Sequence, residues 1–218
     1  LIIRLSSLGD VLLTTPAIAA LKEIHPEIEI DFLVGERASV MIEGNPNVSR
    51  TIVFRKNLAG VFETLEALRA RGPYARVYDL HGVMSSALWS IAARAEERVG
   101  PVHQALSVFF TRRIAPRAAR TVDRYAEFFH DVNLGPLGRP VYGPLDTNGR
   151  ARAFLVANEL AGREFVVLAP YASRASRMWP LSRISEFIDA WRGANTDPPI
   201  VPLAADAAHD ARPRVRSS

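Results

Sequence analysis

The fold is decided by the opening stretch of the chain, Leu1-Ile2-Ile3-Arg4-Leu5-Ser6-Ser7-Leu8-Gly9-Asp10-Val11-Leu12-Leu13-Thr14-Thr15-Pro16. The first five residues form an apolar run of strand length, and a short polar loop follows. Apolar residues then recur at helical spacing, at Leu13, Ala17, Leu21 and Ile24. A strand that passes directly into a helix is typical of the first unit of a Rossmann-like α/β fold.

The loop of this unit holds the first candidate site residues. Gly9 suits a tight turn, and Asp10 suits the cap or the first turn of a helix. Pro16 leaves two alternatives: a helix from Asp10 that kinks near residue 12, or a second helix with Thr15 as N-cap and Pro16 as its first residue. In both, Asp10 lies at the carboxyl end of the strand, where open α/β sheets bind ligands. The cleft candidates of this loop are Ser6, Ser7, Gly9 and Asp10.

Strands and helices continue to alternate along the first half of the chain. Strands are predicted at 29–34, 50–54, 75–80 and 97–100, and helices at 37–43, 58–71, 83–95 and 121–132. This alternation predicts a mainly parallel sheet of at least four strands with helices on both faces. We assign residues 1–138 to this domain.

A second polar loop, Asp79-Leu80-His81-Gly82, also ends a strand and opens a helix. It should therefore lie beside Ser6–Asp10 on the same rim of the sheet. Asp79, His81 and Gly82 are the cleft candidates of this loop, although a single loop histidine is often only structural.

An arginine-rich stretch from Arg112 to Arg124 carries much of the net charge of +4. Three interpretations stay open for it: a solvated face, an attraction for an anionic acceptor or membrane surface, and a nucleic-acid-binding arm. The stretch lacks the interleaved aromatic residues and the motifs of nucleic-acid binding, so we predict no nucleic-acid partner. The candidate contacts to an anionic acceptor are Arg112, Arg113 and Arg117.

The composition and motifs of the chain argue against several kinds of metal, disulfide and nucleotide-binding site. The chain has no cysteine, so disulfides and thiolate metal sites are excluded, and a reducing compartment is expected. Histidines lack metal-ligand spacing, no Asp-x-Asp pair occurs, and neither Gly-x-Gly-x-x-Gly nor a P-loop is present. We therefore predict no metal and no cofactor. No apolar run approaches the roughly 18–20 residues that span a bilayer.

The second half of the chain repeats the pattern of strand, polar loop and helix seen at its start. Residues 139–163 read as a linker with a connecting helix, and residues 164–203 as the beginning of a second Rossmann-like domain, with a strand at 165–170 and a helix at 181–191. Residues 199–203 suit an edge strand because they contain Pro202. The tail 204–218 is expected to be weakly structured.

Several of these stretches resemble glycosyltransferase family 9, the heptosyltransferases of lipopolysaccharide synthesis. The match rests on Ser6–Ala17 with Leu21-Lys22 and Pro26, on Asp79–Gly82 before Ser85–Leu88, on Val122–Tyr125, and on the Trp179-Pro180 turn. The resemblance implies a GT-B fold, in which an acceptor domain and a donor domain face each other across a cleft. It also implies inverting transfer from a nucleotide sugar, often ADP-heptose, to a lipopolysaccharide core or lipid A-type acceptor, in the cytoplasm and at the cytoplasmic face of the inner membrane.

The same resemblance assigns residue roles. Asp10 corresponds to the proposed general base, while Arg177 and Ser173 fall in the loop that meets the donor diphosphate. Arg177 stands where the family carries lysine, and Tyr171 stands where glycine is usual, which changes how a donor can approach.

The likeness covers about residues 1–191 and then fades, and the family's Asp-x-Gly-x-x-His-type motif has no match. We therefore expect an incomplete donor domain. Two alternatives to an enzyme stay open: an inactive fragment that retains acceptor binding, and an unrelated Rossmann-like binding protein.

Overall fold

The computed structural model describes residues 1–104, 106–143, 149–170, 172, 175–194 and 198–202. It divides into two compact units, Leu1–Leu145 and Asp146–Ser218. This boundary lies beyond the predicted domain end at residue 138, and the connecting helix predicted within 139–163 belongs to the second unit. The predicted tail, 204–218, lies outside the described residues.

Six strands form one parallel sheet in the first unit: β1 Ile2–Ile3, β2 Asp31–Gly35, β3 Arg50–Phe54, β4 Arg76–Asp79, β5 Glu97–Pro101 and β6 Arg112–Ile114. Their spatial order is β3-β2-β1-β4-β5-β6. The chain therefore runs outward in both directions from β1, and the order reverses between β1 and β4. This confirms the predicted α/β fold with a Rossmann-like parallel sheet. Ligands of such sheets bind at the carboxyl ends of the strands where the order reverses, which are here β1 and β4.

The first helical stretch consists of two helices, α1 Leu8–Leu12 and α2 Thr15–Ile24. This is the second of the two alternatives, except that Thr14 is the N-cap and Pro16 is the second residue. Pro16 has no N–H to donate to the Leu12 carbonyl, and the Thr15 hydroxyl donates to that carbonyl instead, at 2.8 Å. The chain can therefore turn here without leaving the carbonyl unsatisfied.

The other helices of the first unit are α3 Leu58–Ala70, α4 Met84–Ala92 and α5 Thr121–Ala126. The predicted helix 37–43 is a 3-10 helix, Glu36–Met41, and a second 3-10 helix covers Ser107–Phe109. The helix predicted over 121–132 ends at Ala126 and continues as turns. The sixth strand was not predicted, because Arg112-Arg113-Ile114 lies at the sheet edge and lacks an apolar run.

Apolar side chains cover both faces of the sheet. On one face, α2 and α5 pack over a core that includes Phe32, Val34, Tyr78 and Phe129. On the other face, α3 and α4 pack over Ile3, Leu33, Leu68 and Trp89. Burial on both faces is what a parallel sheet between helices requires, and it holds the loops at the carboxyl ends of the strands in place.

The second unit contains α6 Arg150–Ala157, β7 Val166–Leu168, α7 Leu181–Ala194 and β8 Ile200–Pro202. β7 and β8 pair in parallel, so the strand, helix and strand form one unit of the Rossmann type. Across the described ranges of the chain, no helix combines the length and the apolar character needed to cross a membrane.

Candidate functional site

A pocket of about 380 Å³ opens at the rim of the first unit's sheet, where the loops after β4 and β5 meet α1 and α5. The pocket lies at the carboxyl ends of the strands, near the reversal of strand order between β1 and β4. The two polar loops were predicted to meet at this rim. The side chains that give the pocket its polar character are those of Asp10, His81, Gln104, Arg124 and Tyr125.

Asp10 is the third residue of α1 and points its carboxylate into this pocket, with 34% of the side chain exposed. Its Oδ2 accepts hydrogen bonds from the Ser7 N–H at 3.3 Å and the Ser7 hydroxyl at 2.9 Å. Its Oδ1 accepts one from the Tyr125 hydroxyl at 3.1 Å. Asp10 therefore helps to cap its own helix and also lines the pocket.

Arg4 is the ion-pair partner of Asp10, and no sequence motif marked it. Its Nη2 lies 2.8 Å from Oδ2 of Asp10, and its Nη1 donates to the Leu80 carbonyl at 2.6 Å. Its guanidinium carbon lies 5.4 Å from the centre of the Tyr125 ring. One largely buried arginine, 13% exposed, thus joins the ends of β1 and β4 to α5.

The electrostatics keep Asp10 ionised. Partial burial by itself raises the pKa of Asp10, but the charge of Arg4 and the hydrogen bonds from Ser7 outweigh it and hold the pKa below the ordinary aspartate value. At neutral pH the group is a carboxylate that can accept a proton.

Tyr125, from a distant part of the chain, contacts both Asp10 and Arg4. It is buried, and burial raises the pKa of its hydroxyl to about 12, so at neutral pH the hydroxyl is protonated and donates to Asp10. The only sequence signal for Tyr125 was the resemblance of Val122–Tyr125 to the family pattern, and that resemblance did not predict a contact with Asp10.

Asp79 was predicted to line the cleft, but it is fully buried beneath it. Its Oδ1 accepts from the backbone N–H groups of His81 at 2.9 Å and Gly82 at 3.1 Å, and its Oδ2 accepts from the Ser86 hydroxyl at 2.8 Å. Asp79 therefore shapes the loop that lines the pocket and does not reach a ligand. The carboxylate turns inward because these three donors satisfy it there.

His81 and Gly82, two of the cleft candidates, line the pocket. Gly82 has φ +73°, a left-handed conformation that suits glycine. Burial, with help from the nearby Arg4 charge, lowers the pKa of His81 to about 4, so its imidazole is neutral at pH 7. Within the described part of the chain, its buried Nδ1 has no hydrogen-bond partner.

The other candidates lie away from the pocket wall. Ser6, Ser7 and Gly9 are exposed beside it, and Gly9 is an ordinary helical residue of α1, not the turn we predicted. Arg112, Arg113 and Arg117 are exposed on β6 and the following loop, and Arg124 is the arginine that lines the pocket. Arg177 ends a 3-10 helix in the second unit, and Ser173 lies outside the described residues.

No metal site emerges from the described residues, which contain no group of three or more histidine, cysteine, aspartate or glutamate side chains placed to hold an ion. The pocket instead combines an ionised carboxylate, a protonated phenol and a neutral imidazole. This set can take a proton from a ligand hydroxyl and hydrogen-bond to other hydroxyl groups.

A family model described as glycosyltransferase family 9 (heptosyltransferase) matches residues 61–210 of the sequence. This chain belongs to glycosyltransferase family 9. The matched range includes the His81 loop, Tyr125 and most of the second unit, and it extends beyond residue 191, where we expected the likeness to end. Asp10 and Arg4 lie before the matched range, so their assignment rests on the geometry of the pocket.

Individual members of the family agree in fold and exceed this chain in length. Lipopolysaccharide heptosyltransferase 3 of Escherichia coli is 23% identical over 197 residues, which are 84% of this chain and 57% of that protein. A solved family 9 glycosyltransferase of Veillonella parvula superposes with a TM-score of 0.73 at 20% identity, covering 88% of this chain and 59% of that one.

The E. coli heptosyltransferase WaaC, solved with ADP-2-deoxy-2-fluoro heptose, gives a TM-score of 0.71 at 22% identity, covering 95% of this chain and 69% of that one. The 218 residues thus span somewhat over half of the curated relative and share the family fold.

Proposed function

We propose that this chain takes part in heptosyl transfer. In the proposed reaction, a heptose or related sugar passes from a nucleotide sugar such as ADP-heptose to a hydroxyl of a lipopolysaccharide-core or lipid A-type acceptor. The observation that carries the proposal is the Asp10 carboxylate, which is kept ionised in a pocket at the reversal of strand order in the sheet. Glycosyl transfer to a hydroxyl needs such a base.

The proposed step is a single displacement with inversion. Asp10 takes the proton of the acceptor hydroxyl, and the acceptor oxygen forms a bond to the anomeric carbon from the face opposite the leaving group. The bond between that carbon and the diphosphate breaks, and the nucleoside diphosphate leaves with the electron pair. Arg177 is the proposed contact of the departing diphosphate, because a guanidinium offers two parallel donors to phosphate oxygens.

The neighbours of Asp10 have proposed roles on the acceptor side. Tyr125 fixes the carboxylate through Oδ1, and Arg4 stabilises its negative charge. His81 lines the pocket with a neutral imidazole ring, which adds no charge beside the acceptor. Arg124 places a positive charge at the pocket wall, where an anionic acceptor group would meet it.

The experiment that tests the proposal supplies the chain with a complete family 9 donor domain as a fusion and measures nucleoside diphosphate release. ADP-heptose is the donor, and a heptose-free lipopolysaccharide core oligosaccharide is the acceptor. Release that requires both substrates supports the proposal. Acceptor binding without any transfer would favour a binding role for this chain instead.

A second prediction concerns the pH dependence of that reaction. Arg4 lowers the pKa of Asp10, so the reactive carboxylate persists to low pH when Arg4 is present. In Arg4→Gln the Asp10 pKa rises, and the acid limb of kcat/KM should move to higher pH. Arg4→Lys keeps the charge and should leave the limb near its original position. An unchanged pH profile in Arg4→Gln would contradict the assignment, because it would mean that Arg4 does not lower the pKa of the base.

A further inference from the structure

An apolar surface lies beside the proposed acceptor pocket. Helix α4 contains no charged residue, and Met84 and Leu88 on its outer side are 63% and 55% exposed. The adjacent 3-10 helix adds Val108 and Phe109, which are 72% and 48% exposed. We call these four residues, together with Ile91, the α4 patch. Clusters of exposed apolar side chains of this kind mark sites that contact another protein or a membrane.

Helix α4 is apolar on its outward side as well as its inward side. Ala87 and Trp89 are buried inward beside the fully buried Ser86 and Ser90, while Met84, Leu88 and Ile91 face outward. The Ser86 hydroxyl lies 2.8 Å from two acceptors, Asp79 Oδ2 and the Val83 carbonyl, and the Ser90 hydroxyl donates to the Ala87 carbonyl at 2.7 Å. The polar groups are therefore satisfied inside the fold, and the outward leucine, isoleucine and methionine contribute nothing to its core.

Positive charge borders the α4 patch. Arg98 donates from Nε to the Phe109 carbonyl at 2.9 Å, which places its guanidinium against the patch. Arg113 pairs in register with Gly100 on β5 and so lies on the α4 side of the sheet, whereas Arg112 lies on the opposite side with Ile114. Neither Val83–Arg94 nor Val102–Arg113 contains an aspartate or glutamate. The first acidic neighbour along the chain is Glu96.

The α4 patch is continuous with the walls of the pocket. His81 and Gly82 line the pocket, and Val83 and Met84 follow them directly into α4. His103 and Gln104 line it from the other side and lead into the 3-10 helix that carries Val108. A membrane or protein that bound to the α4 patch would therefore also lie at the mouth of the pocket.

We propose that the α4 patch docks onto an anionic lipid bilayer, with Met84, Leu88, Ile91, Val108 and Phe109 entering the interface and Arg98 and Arg113 facing the lipid headgroups. Exposed apolar side chains bordered by arginine match the chemistry of such a surface. The proposal rests on the proposed function, because a lipid-anchored acceptor would then present its sugar at the pocket mouth.

Vesicle co-sedimentation of the 218-residue chain tests this surface directly. The chain should bind vesicles of phosphatidylglycerol in phosphatidylcholine, and it should bind pure phosphatidylcholine weakly. Leu88→Ser combined with Val108→Ser should lower the affinity at least about tenfold, because two apolar side chains no longer enter the interface. Ile24→Ser with Val40→Ser is the matched control. These two residues are also well exposed but belong to elements on the opposite face of the sheet, and binding should be unchanged.

A pair of single variants tests the charged border. Arg113→Glu should weaken binding to anionic vesicles by about fivefold or more and reduce its salt sensitivity, since a basic residue at the surface contributes about 1 kcal/mol. Arg112→Glu, one residue away on the other side of the sheet, should have a clearly smaller effect. Equal losses in the two variants would mean a general charge effect and would overturn the assigned surface.

Other outcomes distinguish this proposal from the proposed function. A wild-type chain that does not bind vesicles, or a patch variant that binds as well as wild type, overturns the docking surface. A wild-type dimer that the patch variant converts to a monomer, without vesicle binding, would assign the patch to a second copy of the chain. Vesicle binding does not depend on activity, so it can be established even if the transfer assay fails.

Discussion

Asp10→Asn is expected to lower sugar transfer by about 10²–10⁴-fold, the usual contribution of a positioned base. Asparagine has nearly the same size and can still accept the hydrogen bond from the Ser7 N–H, but its amide cannot take a proton at neutral pH. The loss should fall on kcat, with little change in the acceptor affinity. The measurement is steady-state transfer by the fusion with a donor domain.

Ser7→Ala is the control for this variant. It removes one hydrogen bond to Asp10 Oδ2 and leaves the carboxylate in place, so transfer should fall far less than in Asp10→Asn. Near-wild-type transfer by Asp10→Asn would return Asp10 to the role of a helix-capping residue. Loss of acceptor binding in the same variant would make it a binding group and not the base.

Asp79→Ala is expected to lower the free energy of unfolding by about 2–4 kcal/mol, because it leaves two loop N–H groups without their buried acceptor and removes one of the two acceptors of the Ser86 hydroxyl. Burial raises the pKa of Asp79 in spite of these hydrogen bonds, so the group is held by its donors and not by a cation. The loop that carries His81 should lose its shape, and acceptor binding should weaken with it. Denaturant unfolding measures the first effect.

Asp79→Asn provides the comparison, since its carbonyl oxygen can still accept from the two backbone N–H groups. It should lose clearly less stability than the alanine variant. If Asp79→Ala unfolds at the same denaturant concentration as wild type, the buried network does not hold the loop, and Asp79 must be reconsidered as a ligand contact.

The fold was largely predictable because its information is local. Alternating strand and helix patterns were enough for a parallel sheet, and two polar loops at strand ends were enough to place Asp10 and His81 on one rim. Pro16 was also informative, since the absence of its N–H explains where α1 stops.

The partners of Asp10 were not predictable, because they are brought together by the tertiary structure. Tyr125 is 115 residues from Asp10 in the chain, and Arg4 directly follows the apolar strand β1, where nothing marked it as the partner of Asp10. Asp79 shows the opposite error: a carboxylate at a strand end suggests a ligand contact, and only the position of Ser86 shows that it is satisfied from inside.

The most direct test of the account is amide NMR shift mapping of the 218-residue chain during addition of a heptose-free lipopolysaccharide core oligosaccharide. We predict the largest shifts at Asp10, His81, Gln104 and Tyr125, with smaller ones across the remaining loops of the pocket. Shifts confined to other parts of the first unit, or no shifts at all, would contradict the assignment of this pocket to the acceptor.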